Sequence, residues 1–166
     1  MLENYKKHVE ERAEQNIPPL PLDANQTSEL VELLKKDHDD SILLLDLLKE
    51  RIPAGVDQAA YVKAAFLADI TTGKASSPYI TKIDAVKILG TMLGGYNIQP
   101  LIECLKDNEL AETAAHVLSR TLLIFDAFNE IFELSKTNEH AKKVVEEWAN
   151  ATWFTEKTDI KEQIKL

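Results

Sequence analysis

The sequence predicts an all-α fold of antiparallel helix pairs, and three observations carry that prediction. Apolar residues recur at helical spacing along nearly the whole of the 166-residue chain. Prolines, glycines and capping residues interrupt that pattern at short intervals, as helix ends require. No stretch offers sustained apolar–polar alternation with β-branched enrichment between turn signals.

The first helix is expected from about Leu2 to Gln15 in the strongly charged "MLENYKKHVEERAEQ". "NIPPLPLDAN" interrupts it, because Pro18, Pro19 and Pro21 cannot sit in a helix interior. A second helix holds Leu30, Val31, Leu33 and Leu34 and stops at "KKDHDDS". The third runs from about Ser41 to Arg51 and ends before "IPAG". Asp57 then reads as the N-cap of "QAAYVKAAFLADIT", whose alanines and apolar residues wrap most of the circumference, so burial on more than one side is expected. After the loop "TGKASSPY", Thr81 and Asp84 form a capping box for a helix carrying Ile83, Val86, Leu89 and Leu93.

That helix is expected to close at Gly94 and Gly95, which can take positive φ, with Asn97 capping the next one. Pro100 falls in the first turn, where a missing N–H costs little, and Ile98, Leu101, Ile102 and Leu105 occupy i, i+3, i+4 and i+7. A polar turn at Lys106 to Asn108 leads into Leu110, Ala111, Ala114, Ala115 and Leu118, then into Phe125, Phe128 and Phe132 with a break near Ser119. Asn138 opens a final helix with Ala141, Val144, Val145 and Trp148 on one face. The last residues, "TWFTEKTDIKEQIKL", carry no stop signal and no core of their own and read as the start of a linker.

The recurring unit is therefore helix, short loop, helix, best seen in "PLIECLKDNELAETAAHVLSRTL". This is the grammar of HEAT-like α-solenoids, in which helix pairs stack into a superhelix. The spacing is irregular, and a plain helical bundle satisfies the same pattern.

Composition narrows the function classes. Hydrophobic residues make up 45% and charged residues 28%, which suits one ordinary domain with its own core. No apolar run reaches the eighteen or so residues that span a bilayer, and the charged first residues lack the apolar core of a secretory signal, so a cytoplasmic location is expected. The net charge of −9 opposes nonspecific phosphate binding. With Cys104 the only cysteine, the chain cannot hold an iron–sulfur cluster ligated by several thiolates.

No motif reaches the specificity of a catalytic or metal signature. "GKAS" at Gly73 to Ser76 lacks the earlier glycine of a phosphate loop, since position 68 is alanine. "DHDD" at Asp37 to Asp40 reads as a solvated turn, because adjacent residues rarely converge on one ion. His8, His38, His116 and His140 have neither the Glu-x-x-His spacing of di-iron bundles nor the zinc-peptidase spacing. Glu112 and His116 at i, i+4 suit an ordinary side-chain contact, and Glu130 with Glu133 names no general acid. Cys104 reads as a buried, inert thiol and "PPLP" as a chain-turning segment. Trp153 and Phe154 are expected to fold back on the core or to meet a following domain. On these residues the expectation is an acidic helical interaction domain with no catalytic, cofactor-binding or metal-ligating residue of its own.

"LGTMLGGYNIQPLI", from Leu89 to Ile102, closely resembles the N-terminal HEAT-like domain of the bacterial aconitase B family, the aconitate hydratases 2 or 2-methylisocitrate dehydratases. Colinear matches follow in "PLDANQ" at Pro21 to Gln26, "LVELLK" at Leu30 to Lys35 and "LLDLL" at Leu44 to Leu48. "GVDQAAYVKAAFLA" at Gly55 to Ala68 and "LSRTLLIFDAF" at Leu118 to Phe128 extend the resemblance over nearly the whole chain. It departs at "DHDDS", where the family pattern bears more proline and glycine, and in the acidic C-terminal half.

The resemblance implies a HEAT-like domain over 1–154 and, from 155 to 166, the start of a linker to catalytic domains that are not in this sequence. It implies a parent lyase that interconverts citrate and isocitrate through cis-aconitate and also hydrates 2-methyl-cis-aconitate. The 4Fe-4S cluster of such an enzyme and its ligands lie in the later domains. For the segment itself it implies packing beside those domains, shaping access to the active site, association with other proteins through the solenoid face, iron-responsive homodimerisation, and contact with regulatory mRNA. RNA contact sits poorly with the negative charge and would need lysines such as Lys6, Lys7, Lys142 and Lys143 gathered by folding. A free-standing HEAT-like adaptor is the alternative reading.

Overall fold

The computed structural model describes residues 1–121 and 127–151. Among these it has nine helices and no strand: α1 (Leu2–Glu14), α2 (Ala24–Leu34), α3 (Ser41–Glu50), α4 (Gln58–Thr72), α5 (Lys82–Leu89), α6 (Ile98–Cys104), α7 (Ala111–Leu118), α8 (Phe128–Ser135) and α9 (Glu139–Ala149). The all-α prediction holds. Phe125, Trp153, Phe154 and the expected linker over 155–166 lie outside the described residues.

The principal helix contacts advance along the chain. α2 packs on α3 and α4, α4 on α5, α5 on α6 and α7, and α7 on α6 and α9, with α8 against α9. From α2 onward each helix thus meets near neighbours in sequence, the arrangement expected of stacked helix pairs. Fully buried leucines, Leu30, Leu34, Leu44, Leu48, Leu67, Leu89, Leu101 and Leu118, run through one continuous core. α4 is covered from both α2 and α5, which explains why its apolar residues surround it. α1 contributes only Leu2 and Tyr5 to the core and is tied down by polar contacts: Arg51 Nε donates to Tyr5 Oη at 3.1 Å, and the N-terminal ammonium lies 3.3 Å from Glu29.

Local chemistry fixes four of the nine described helix starts. Asp23 and Gln26 form a reciprocal capping box, as do Thr81 and Asp84, while Asp57 accepts from the Ala59 and Ala60 N–H groups. Asn138 accepts from the Ala141 N–H at 2.9 Å. Each such cap is worth about 1 kcal/mol. The Thr81 hydroxyl bond also holds the Asp84 carboxyl below its ordinary pKa.

Two expectations fail at the glycine pair. α5 ends at Leu89, with Gly90 as its C-cap, and not at Gly94. The reason is tertiary: Gly90 lies so close to Val117 that an added Cβ would sit 2.6 Å from the valine Cβ, and the Leu93 N–H is drawn away to Ala54 O at 2.7 Å. Leu93 is therefore on the surface and not on the buried face, and Ile83 is exposed as well. Asn97 stands at the start of α6 without capping it through its side chain. Its fully buried Nδ2 donates backwards to Leu89 O at 2.9 Å and Met92 O at 3.1 Å, so it closes the turn after α5 instead.

Candidate docking surface

Because α2 to α6 alternate in direction, their loops fall on two edges. The α2–α3 and α4–α5 loops meet on one, the α3–α4 and α5–α6 loops on the other. A tyrosine stitches each pair. On the first edge Tyr79 Oη accepts from the His38 N–H and donates to His38 O at 3.2 Å, and Ser77 Oγ donates to Leu34 O at 2.6 Å. On the second, Tyr96 Oη donates to Val56 O at 2.9 Å beside the Leu93–Ala54 backbone bond.

The first edge gathers the acidic turn. Asp37, His38, Asp39 and Tyr79 line an open depression of about 400 Å³. Asp37 and Asp39 are exposed to water, while beside them the Asp40 N–H donates to His38 Nδ1 at 3.0 Å and Lys6 Nζ lies 3.3 Å from Asp40 Oδ2. Among the described residues no three His, Cys, Asp or Glu side chains are placed to hold a metal ion. Gly73 is the left-handed C-cap of α4 at φ +77°, so "GKAS" is a helix terminus and not a phosphate cradle.

The other candidates disperse. His8 Nε2 accepts from the Leu20 N–H at 3.0 Å, while Arg12 Nε bonds Pro18 O at 2.9 Å and Arg51 bonds Pro19 O, so "PPLP" is folded onto α1 and α3. His116 sits against Arg120, 2.8 Å from its Nη1, and not against Glu112 as the i, i+4 spacing suggested. Glu130 accepts from Gln99 at 3.2 Å and Glu133 from Lys136 at 2.6 Å, which separates that carboxylate pair. Cys104 is buried, and burial pushes its thiol pKa up. Of the lysines that an RNA site needs, Lys6 lies beside Asp40 and Glu3, Lys7 beside Glu11 and Lys142 beside Glu139.

The second edge is built differently. Gly94 packs on the Gly55 carbonyl so tightly that a Cβ there would overlap it, and Gly95 takes φ +91°. With backbone groups of the two loops bonded to each other, large apolar side chains project beside the exposed Asp57 and Gln58: Val56 is 72% exposed, Leu93 71% and Tyr61 54%. Tyr61 and Tyr96 meet edge to face at 5.4 Å. From Ile88 to Ile102 no residue is charged. Sequence reasoning read these positions as a helix junction and missed the surface; the unbroken run without charge in a chain otherwise 28% charged was the available signal.

The family described as the Aconitate B N-terminal domain matches residues 4–154. The chain belongs to that family. It is 54% identical over its whole length to aconitate hydratase B of Escherichia coli, 53% to that of Pseudomonas aeruginosa and 51% to that of Synechocystis. Each alignment takes in all of this chain and 19 to 20% of the relative, so the chain spans about a fifth of the curated relatives it matches. A thiolate-held iron–sulfur cluster takes several cysteines, and the one cysteine of this sequence, the buried Cys104, does not fit one.

Proposed function

We propose that this chain is the N-terminal interaction and regulatory module of an aconitate hydratase that converts citrate to isocitrate through cis-aconitate and also hydrates 2-methyl-cis-aconitate. The carrying observation is the family match over residues 4–154 combined with coverage of only a fifth of the aconitate hydratase B relatives. Reaction chemistry and the iron–sulfur cluster belong to the other four-fifths of such an enzyme. The module supplies a rigid stack of helices whose faces pack beside the catalytic domains, shape access to the active site and bind protein partners. Self-association is part of the proposal. Contact with mRNA is the weakest part, since the acidic surface and the paired lysines offer little to a polyanion.

Activity assays separate the module from the enzyme. The purified 166-residue chain should give no hydration of cis-aconitate after reconstitution with iron and sulfide. The full-length protein from the same cells should give turnover after the same treatment. Turnover by the short chain, or none by the long one, contradicts the proposal.

A further inference from the structure

We infer that the edge formed by Val56, Tyr61, Leu93 and Tyr96 is the face on which the remaining body of the parent chain docks; the inference rests on the reading of this chain as one part of an aconitate hydratase. Three observations carry it. The first is preorganisation. Leu93 N–H to Ala54 O, Tyr96 Oη to Val56 O and the Gly94–Gly55 contact lock two loops together, so docking here orders little that is not already ordered. The second is chemistry. Leu93 and the half-buried Tyr96 belong to a run without charge, and the exposed Val56 and Tyr61 join them, so aromatic and aliphatic groups of the kind enriched in interface cores meet here beside the single charge of Asp57. Isolated exposed apolar residues need no explanation, but these four are contiguous.

The third observation selects the occupant. The relatives carry about four times as much further chain as this segment, so a large covalently joined body is present at high effective concentration wherever this module occurs. A nucleic acid is disfavoured by the absence of any cation in the face.

The test uses the full-length protein with a photoreactive phenylalanine analogue in place of Leu93, and with the same analogue in place of Ile42 as control. Ile42 is 84% exposed but begins α3, whereas Val56 follows its end, so it reports the other edge. Irradiation should join position 93 to peptides beyond residue 166 of the same chain, at unchanged molecular mass and independent of protein concentration. The control should give at least tenfold less of that product. Crosslinks between two copies, crosslinks to other molecules only, or equal yields from both positions overturn the inference. Hydroxyl-radical footprinting of the unmodified full-length protein gives a second readout. Val56 and Leu93 should oxidise at least tenfold more slowly than freely exposed valine and leucine while Ile42 does not, and fast oxidation of all three overturns it. Intact mass on the same sample reports separately on the parent enzyme, because a native species of 18.7 kDa removes the body to be docked whatever the face does.

Discussion

The two loop edges of the helix stack use the same device for opposite ends. Tyr79 ties the α2–α3 loop to the α4–α5 loop, and Tyr96 ties the α3–α4 loop to the α5–α6 loop. The first edge carries Asp37 and Asp39 exposed to water and ties His38 to Asp40 and Asp40 to Lys6 of α1. The second turns backbone polarity inward and leaves Val56, Tyr61 and Leu93 outside, with Asp57 its one exposed charge among 52–57 and 90–97. A repeated architecture thus fixes where loops meet, while the residues of each loop decide whether that edge prefers water or protein.

The apolar edge should be the more brittle. Gly94→Ala forces a Cβ into the Gly55 backbone carbonyl, where no flexible side chain can yield. A loss of about 2–4 kcal/mol in urea denaturation is expected, against less than about 0.5 kcal/mol for Gly55→Ala, whose own Cβ would meet open space. Equal effects would show that the two loops are not in contact.

The two asparagines sharpen the same contrast. Asn97→Ala strips the buried turn of both Nδ2 bonds and should cost about 2 kcal/mol, whereas Asn138→Ala removes a local cap and a bond to Leu105 O and should cost about 1 kcal/mol. The reversed order in thermal or urea unfolding would contradict the assignment of Asn97 as the buried clamp of the turn after α5.

α4 joins the two edges and buries Lys63 at 1% exposure. Burial pulls its pKa below the ordinary 10.5, with Glu50 opposing the shift. The folded protein therefore binds fewer protons than the unfolded chain between the lowered value and 10.5, and its stability rises with pH across that window. Lys63→Met should raise the melting temperature at neutral pH by a few degrees, about 2–4 °C for each kcal/mol recovered. The advantage should shrink as pH approaches 10.5. An advantage that persists unchanged above that pH would rule out charge burial as its source.

The smallest effects should come from the stitches. Tyr96→Phe and Tyr79→Phe each delete a hydroxyl bonded to backbone and should cost about 0.5–1.5 kcal/mol. Amide exchange should quicken in the matching loop pair only, 51–57 with 90–97 for Tyr96 and 35–40 with 73–79 for Tyr79. Changes spread over both edges would show that the loops are not separately stitched.

Where a signal and its partner lay within a few residues, the sequence was sufficient. Asp57, the Thr81–Asp84 box and Asn138 all cap the helices that their spacing predicted. The apolar positions of α6, Ile98, Leu101, Ile102 and Leu105, are all buried as their i, i+3, i+4, i+7 order requires. The failures involve partners that the local helix rules do not cover, two of them far along the chain. Leu93 leaves its helical pattern because Ala54 claims its N–H, Gly90 ends α5 against Val117, and Asn97 spends its amide on Leu89 and Met92 from a position where local rules make it a cap. None of those competitors is visible in the local spacing. The candidate face was hidden for the same reason, since Val56 and Tyr61 join Leu93 and Tyr96 only after the loops meet.

The most direct measurement of the central claim, that this chain works as one module of an aconitate hydratase, is the intact mass and activity of the native protein captured from cell extract with an antibody to this segment. The account predicts a single polypeptide about five times the 18.7 kDa of this chain that hydrates cis-aconitate. A native species of 18.7 kDa without that activity would contradict it and leave a free-standing helical adaptor in its place.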